Sequence, residues 1–289
     1  MKSNEFQQFG RFKSVKRKIT SSQPLTLQDS FVERVKAHDA CTINNCQIER
    51  LKALGPCMIE NSIIHDCQSY SELSVKENVK ALTITAMGSA VFNQTKCKVF
   101  RNTSSKDGSS LGSHKVSGSI FAITYENFTS SVLDYEFNYV NILNKYFLEC
   151  NKPIECSHFV SFAPFIIPSI HAQSIYIRPY FNTFVNELKA DTLILTNKLK
   201  DRTIFDDIIS MADYRELVNK QFEPSHMHVD RIEAKTLILE NCDAKLVIAD
   251  RAVIKEGCVI EELIASHYEI SKYAQVNKCN GGKYAVEEK

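Results

Sequence analysis

One short string carries the residue types of a metal site. His226-Met-His228-Val-Asp230 places two imidazoles and a carboxylate at alternate positions. Alternate side chains of an extended strand face the same way, so the three groups could converge on one metal ion. The string directly precedes a repeated hexad, however, and Asp230 occupies the polar slot that Glu33 and Glu49 fill in other copies. We therefore interpret it mainly as part of the repeat, with a metal site as the weaker alternative.

Other reactive residue types form no recognisable constellation. The chain has ten cysteines and eight histidines, without a CxxC pair. The cluster Cys150, Cys156 and His158 has no common zinc spacing. Neither of the glycine-rich patterns that bind phosphate, G-x-G-x-x-G and G-x-x-x-x-G-K, occurs. A polysaccharide-cleaving solenoid would be expected to repeat an aspartate pair at one coil position, and no such pair recurs here. The sequence therefore predicts no cofactor, identifies no catalytic residue and favours a non-enzymatic protein.

The N-terminal segment is basic, with Phe12 and Val15 interleaved among the cations and the aromatic residues Phe6 and Phe9 ahead of them. Such a segment suits contact with an anionic surface, where each cation contributes about 1 kcal/mol near a charged membrane. The predicted contact residues are Arg11, Lys13, Lys16, Arg17 and Lys18. We read no secretory signal here, and the most apolar window, 159–170, is too short to span a bilayer. We therefore predict a cytoplasmic protein without a transmembrane segment, whose lead could make peripheral contact with anionic membranes.

The elements that must position these residues are indicated by an internal repeat. Four similar hexads occur, and each is followed by a short apolar run. A repeat of this kind predicts architecture before any residue predicts chemistry. The hexads begin at Val32, Ile48, Val185 and Val229 and end at Ala37, Ala53, Ala190 and Ala234.

The spacing of the repeat predicts stacked coils of about 16 residues each. Small residues recur at Ala37, Ala53, Ser69 and Ala86, and each is followed six positions later by Ile43, Ile59, Val75 and Phe92. Short strands with alternating apolar side chains, separated by Asn and Gly turns, are typical of a β-solenoid. We therefore predict an all-β, right-handed β-solenoid with one inserted helix, over 204–222, and an irregular aromatic central segment.

The same patterns predict five regions. Residues 1–25 form a flexible basic lead, and 26–99 form solenoid coils. Residues 100–183 are either an aromatic insertion or degenerate coils, two alternatives that the sequence leaves open. Coils resume over 184–279, including the helix, and 280–289 form a tail.

The last block, Ala234-Lys-Thr-Leu-Ile-Leu-Glu-Asn and Ala249 to Ile260, resembles two solenoid families. One is the bactofilins, bacterial cytoskeletal proteins that form polymers, and the other is the hexapeptide-repeat acyltransferases. The long and slightly variable period favours the bactofilin-like alternative over a strict period of six. That resemblance implies a polymer-forming, bacterial scaffold.

Three functions follow from these observations as hypotheses. The first is a scaffold that binds itself or another protein through its solenoid ends or the central insertion. The second is an enzyme acting on carbohydrate or another polymer, which predicts a groove lined by carboxylates and by aromatic residues such as Tyr125, Tyr135 and Tyr180. The third is a bacterial effector that binds a host protein.

Overall fold

The computed structural model describes residues 14–104, 114–134, 137–179, 183–197 and 225–285. The chain divides into two compact units, Met1–Asn138 and Tyr139–Lys289. The described residues form strands and turns and contain no helix. Each unit is a stack of coils in which strands pair in parallel with the strands of the coils above and below. The predicted all-β solenoid is therefore confirmed.

The first unit contains twelve complete strands. They are β1 (Ser14–Ser21), β2 (Leu25–Gln28), β3 (Ser30–Ala37), β4 (Cys41–Asn44), β5 (Gln47–Ala53), β6 (Cys57–Glu60), β7 (Ile63–Ser69), β8 (Leu73–Val75), β9 (Lys80–Ala86), β10 (Ala90–Thr103), β11 (His114–Phe128) and β12 (Ser131–Asp134).

The remaining strands belong to the second unit, the first of them beginning just before the boundary. They are β13 (Phe137–Asn144), β14 (Leu148–Cys150), β15 (Ile154–Ser161), β16 (Phe165–Ile166), β17 (Ser169–Ile177), β18 (Phe184–Leu195), β19 (Met227–Leu239), β20 (Cys242–Ile254), β21 (Val259–Ile270), β22 (Gln275–Asn280) and β23 (Lys283–Ala285).

The register of the paired strands confirms the coil length that the repeat predicts. In the first unit Phe31 pairs with Gln47, and Gln47 pairs with Ile63. In the second unit Asp243 pairs with Val259, which pairs with Gln275. These steps are all of the same length, so equivalent positions of successive coils lie directly above one another.

The hexads form the coils because their apolar positions point inward in every copy. Strand β3 alternates buried and open positions on both sides of a bend at Glu33 and Arg34. Val32, Val35 and Ala37 are at most 3% exposed, and their counterparts in β5 are equally buried. Full burial of a Val, Leu or Ile side chain contributes about 1.5–3 kcal/mol, so each coil is stabilised mainly by the rows above and below it.

One corner of the first unit is built from residues with left-handed backbones. Asp29, Asn45, Asn61 and Asn78 have φ angles between 45° and 58°. Asn and Asp tolerate this conformation better than other residues with a Cβ. Their side chains also bond between coils, since Asn45 Nδ2 donates to Asp29 Oδ1 at 2.6 Å and Asn78 Nδ2 donates to Asn61 Oδ1 at 3.0 Å. The corner is thereby repeated from coil to coil.

The region boundaries differ in part from those expected from sequence. Strand β1 begins at Ser14, inside the segment expected to be a flexible lead, because its residues pair with β3. The described parts of 100–183 form coils, for example where β15 pairs with β17. The last coil extends to Ala285, inside the expected tail.

Two further predictions are not tested by the described residues. The helix expected over 204–222 lies outside them, and the structure therefore does not support it. The right-handed sense of the solenoid stays a prediction.

Candidate functional site

The two histidines of the candidate metal string meet a carboxylate other than the expected one. His226 Nε2 lies 2.6 Å from Asp243 Oδ1, and His228 Nδ1 lies 3.1 Å from Asp243 Oδ2. Asp230 instead pairs with Lys245, whose Nζ lies 2.7 Å from Oδ1. Asp243 joins the cluster because it pairs with His228 in the neighbouring coil. Among the described residues, no group of three or more His, Cys, Asp or Glu side chains has the geometry to hold a metal ion.

The described residues of the cysteine cluster and of the predicted aromatic groove form no reactive site. Cys150 is buried, and burial raises the pKa of the Cys156 thiol to about 12, which keeps it protonated. Tyr125 is completely buried and stacks on Phe100 with ring centroids 5.4 Å apart, so it lines no groove. The other two predicted groove residues, Tyr135 and Tyr180, lie outside the described side chains.

A groove does run along the second unit, with a volume of about 1040 Å³. Its floor is a row of small residues that stack in register from one coil to the next. These are Cys156, Ala172, Ala190, Ala234, Ala249 and Ala265. The groove forms because small side chains at this bend leave the backbone close to the surface, while the outward residues on both sides form walls.

Ion pairs between coils neutralise most charges of the groove walls. Lys189 Nζ lies 2.8 Å from Glu233 Oε1, and Lys235 Nζ lies 2.7 Å from Asp191 Oδ1. Hydrogen bonds from Lys189 and Arg231 lower the pKa of Glu233. A general acid at neutral pH needs the opposite shift, toward a raised pKa. The described carboxylates that are paired in this way act as structural links between coils.

The first unit carries a surface of different character, which we call the basic ladder. It consists of outward cations on β1, β3 and β5: Lys18, Arg34, Lys36, Arg50 and Lys52. Lys18 pairs with Arg34 and Arg34 with Arg50, while Lys36 pairs with Lys52. Like charges therefore stand about 4.8 Å apart from coil to coil. The described residues place no carboxylate in ion-pair contact with Lys18, Arg34, Lys36 or Arg50.

The predicted contact residues of the N-terminal lead are only partly described. Arg11 and Lys13 lie outside the described residues. Lys16, Arg17 and Lys18 are exposed on β1, so they belong to the first coil, and Lys18 begins the basic ladder. Lys16 occupies the inward row, where its counterparts in the next coils are Val32 and Ile48.

The last coil of the second unit leaves its inward rows open. Val276 continues the row of Ile260, and Cys279 continues the row of Leu263. Ile260 and Leu263 are fully buried, but Val276 is half-buried and Cys279 is exposed. Within the described residues, β22 pairs only with β21. In the described part of the chain, its outer edge therefore presents backbone groups without a pairing strand, beside apolar side chains.

Sequence reasoning missed a buried polar cluster in the first unit. Asn102 Nδ2 donates to Ser131 Oγ at 2.7 Å, and Ser131 Oγ donates to Asn127 Oδ1 at 2.6 Å. His114 Nδ1 lies 3.1 Å from Asn102 Oδ1, and burial lowers the pKa of this imidazole. The period of the repeat could have revealed Asn102, which continues the inward row of Ala86 one coil later, but not Asn127, which follows after a longer step. A polar residue in an inward row signals such a network.

Comparisons with family models, curated proteins and solved structures found no match to this chain. The described residues contain no helix that could cross a membrane.

Proposed function

We propose that the chain is a non-enzymatic β-solenoid scaffold that associates with a second copy of itself through the last coil of the second unit. The observation that carries the proposal is the open end formed by β22. Unpaired backbone groups at a sheet edge are a ready template for another chain. Here that edge lies beside Val276 and Cys279, so association would bury apolar surface and pair backbone groups together.

A charged residue in the inward row of the first described coil favours a pair of molecules over a filament. The first coil places Lys16 in the row that Val32, Ile48 and Ile64 occupy as buried side chains. A copy stacked on this coil would bury an ammonium group, which is costly without a partner. A head-to-tail contact would use both ends and grow without limit, whereas contact between two identical ends closes after two copies.

This proposal keeps part of the bactofilin-like hypothesis. The chain would serve as an assembly protein built from stacked coils, but it would form pairs rather than polymers. Binding of a host protein stays a prediction from the sequence.

The test is the molar mass of the full chain by light scattering, compared with two lysine variants of β22. Val276→Lys places an ammonium in the open inward row and is expected to return the protein to the mass of one chain. Asn277→Lys adds the same charge at an exposed position of the same strand and is expected to leave the wild-type mass unchanged. The circular dichroism of the two variants verifies that both fold.

Two outcomes would overturn the proposal. One is a wild-type protein with the mass of a single chain at every concentration. The other is a Val276→Lys protein that associates as the wild type does.

A further inference from the structure

The basic-ladder residues of β3 and β5 and the equivalent positions of the second unit belong to the same repeated hexad, but the signs of the charges that face each other differ. The hexads of both units stack in register, with Val32 above Ile48 and Val185 above Val229. Between β18 and β19 of the second unit, the outward charges that face each other are opposite in sign. Lys189 faces Glu233, and Glu187 faces Arg231, whose Nε lies 3.4 Å from Glu187 Oε1.

In the first unit the same outward positions carry like charges. Arg34 faces Arg50, and Lys36 faces Lys52. Like charges directly opposite one another destabilise a sheet, whereas opposite charges at these positions stabilise it. The like charges of the basic ladder therefore destabilise the first unit, whereas the opposite charges at the equivalent positions stabilise the second unit. An anionic partner would compensate that repulsion.

The ladder belongs to a larger segregation of charge along the chain. Residues 10–54 contain nine Lys and Arg but four Asp and Glu, although the net charge of the whole protein is only +1. The ladder ends where Asp66 follows Arg50 and Gln68 follows Lys52 in the next coil. The surplus positive charge of residues 10–54 thus ends with the third coil.

We propose that the basic ladder is a binding surface for an anionic lipid membrane. Its cations stand in two rows on one face of a sheet, which presents a two-dimensional array rather than a single file. Val15, at the start of the same coil, is 75% exposed. In the preceding sequence, Phe12 stands between Arg11 and Lys13, and Phe6 and Phe9 come before them. Cations combined with exposed apolar side chains are the composition of surfaces that bind charged bilayers.

Nucleic acid is the competing polyanion, and the ladder suits it less. Proteins that bind single strands combine a basic groove with aromatic side chains on which bases stack. Tyr70 contacts the ladder, and Lys52 Nζ already lies over its ring at 4.7 Å from the centroid. The two-row array therefore matches phospholipid headgroups better than stacked bases.

The experiment measures binding of the full chain to vesicles of phosphatidylcholine mixed with phosphatidylserine, at low salt. Arg34→Gln/Arg50→Gln removes two ladder charges and is expected to weaken binding about 25-fold, or about fivefold per charge. The matched control, Lys80→Gln/Lys96→Gln, removes two exposed lysines from later coils of the same unit. It is expected to leave the affinity close to that of the wild type.

A second readout separates loss of binding from loss of folding. Because removal of Arg34 and Arg50 relieves repulsion, the ladder variant is expected to unfold at the same temperature as the wild type or a higher one. Val276→Lys is expected to bind vesicles at its monomeric mass, so failure of the self-association proposal would leave this one standing.

Three results would overturn the membrane proposal. The first is equal binding to vesicles of phosphatidylcholine alone. The second is an equal loss of affinity in the ladder and control variants. The third is tighter binding to a duplex or single-stranded DNA oligonucleotide that the ladder variant loses, which would assign the surface to nucleic acid.

Discussion

At the scale of single residues, the most consequential feature is a polar group in a row built for small side chains. Asn102 and Asn127 continue the inward row of Ala86 and are fully buried. Both begin Asn-X-Thr/Ser triplets, but their burial makes them unavailable to glycosylation in the folded chain. Their hydrogen bonds with Ser131 and His114 satisfy groups that would otherwise cost about 1–3 kcal/mol each.

His114 makes the stability of the protein depend on pH. Its pKa is lowered by burial from the ordinary value of 6.5, so the unfolded chain binds a proton at this residue more readily than the folded chain does. Stability from this group is present above pH 6.5 and falls as the pH drops below that value toward the lowered pKa. We expect the urea midpoint of the wild type to decrease between about pH 7.5 and 5.5.

The variant His114→Gln isolates this contribution, because its amide does not titrate and can still bond Asn102. Its urea midpoint is expected to vary less with pH over the same range. An equal pH dependence in the variant and the wild type would show that His114 is not responsible.

At the scale of the elements, the coils depend on corners as much as on strands. Asn61 has a φ of 45° and accepts a hydrogen bond from Asn78 in the next coil. An alanine at this position keeps the unfavourable left-handed backbone and loses the side-chain bond. Left-handed backbone costs an ordinary residue about 1–2 kcal/mol, and glycine avoids that cost.

We therefore expect Asn61→Ala to lower the stability of the protein by about 1–2 kcal/mol more than Asn61→Gly does. The difference is measured by urea unfolding of the two variants, which both lack the side-chain hydrogen bond. Equal midpoints for the two variants would contradict the role assigned to the corner.

The rows of the coils could be predicted because they repeat at a nearly fixed interval. Ala37, Ala53, Ser69 and Ala86 stack as the spacing predicted, and so do Ala234, Ala249 and Ala265. Stacking of adjacent coils is a local property, since each coil contacts only its neighbours. The period therefore identifies the inward rows from the sequence alone.

The partners of the outward charges could not be predicted in the same way. Lys189 meets Glu233 because β18 pairs with β19, for example at Phe184 and His228. This step along the sequence is far longer than one coil, and no constant period predicts it. Alternation within one strand placed Asp230 beside His226 and His228, where the structure places Asp243 from the following coil. The pairing of coils decides which charges meet, and spacing alone does not reveal it.

At the scale of the whole molecule, the two units present different surfaces to solvent. The first unit begins with a coil that carries Lys16 in its inward row and the basic ladder on its outward face. The second unit ends with a coil whose inward row is apolar and open at Val276. We therefore assign membrane contact to the first unit and self-association to the second.

Hydrogen exchange of the backbone amides, measured at low and high protein concentration, locates the self-association surface within the chain. We expect amides of β22, within Gln275–Asn280, to become protected as the concentration rises, because their edge pairs with a second copy. We expect no change in β1, within Ser14–Ser21, because Lys16 keeps that end from stacking. Protection of β1, or unchanged exchange in β22 at every concentration, would contradict self-association through the last coil.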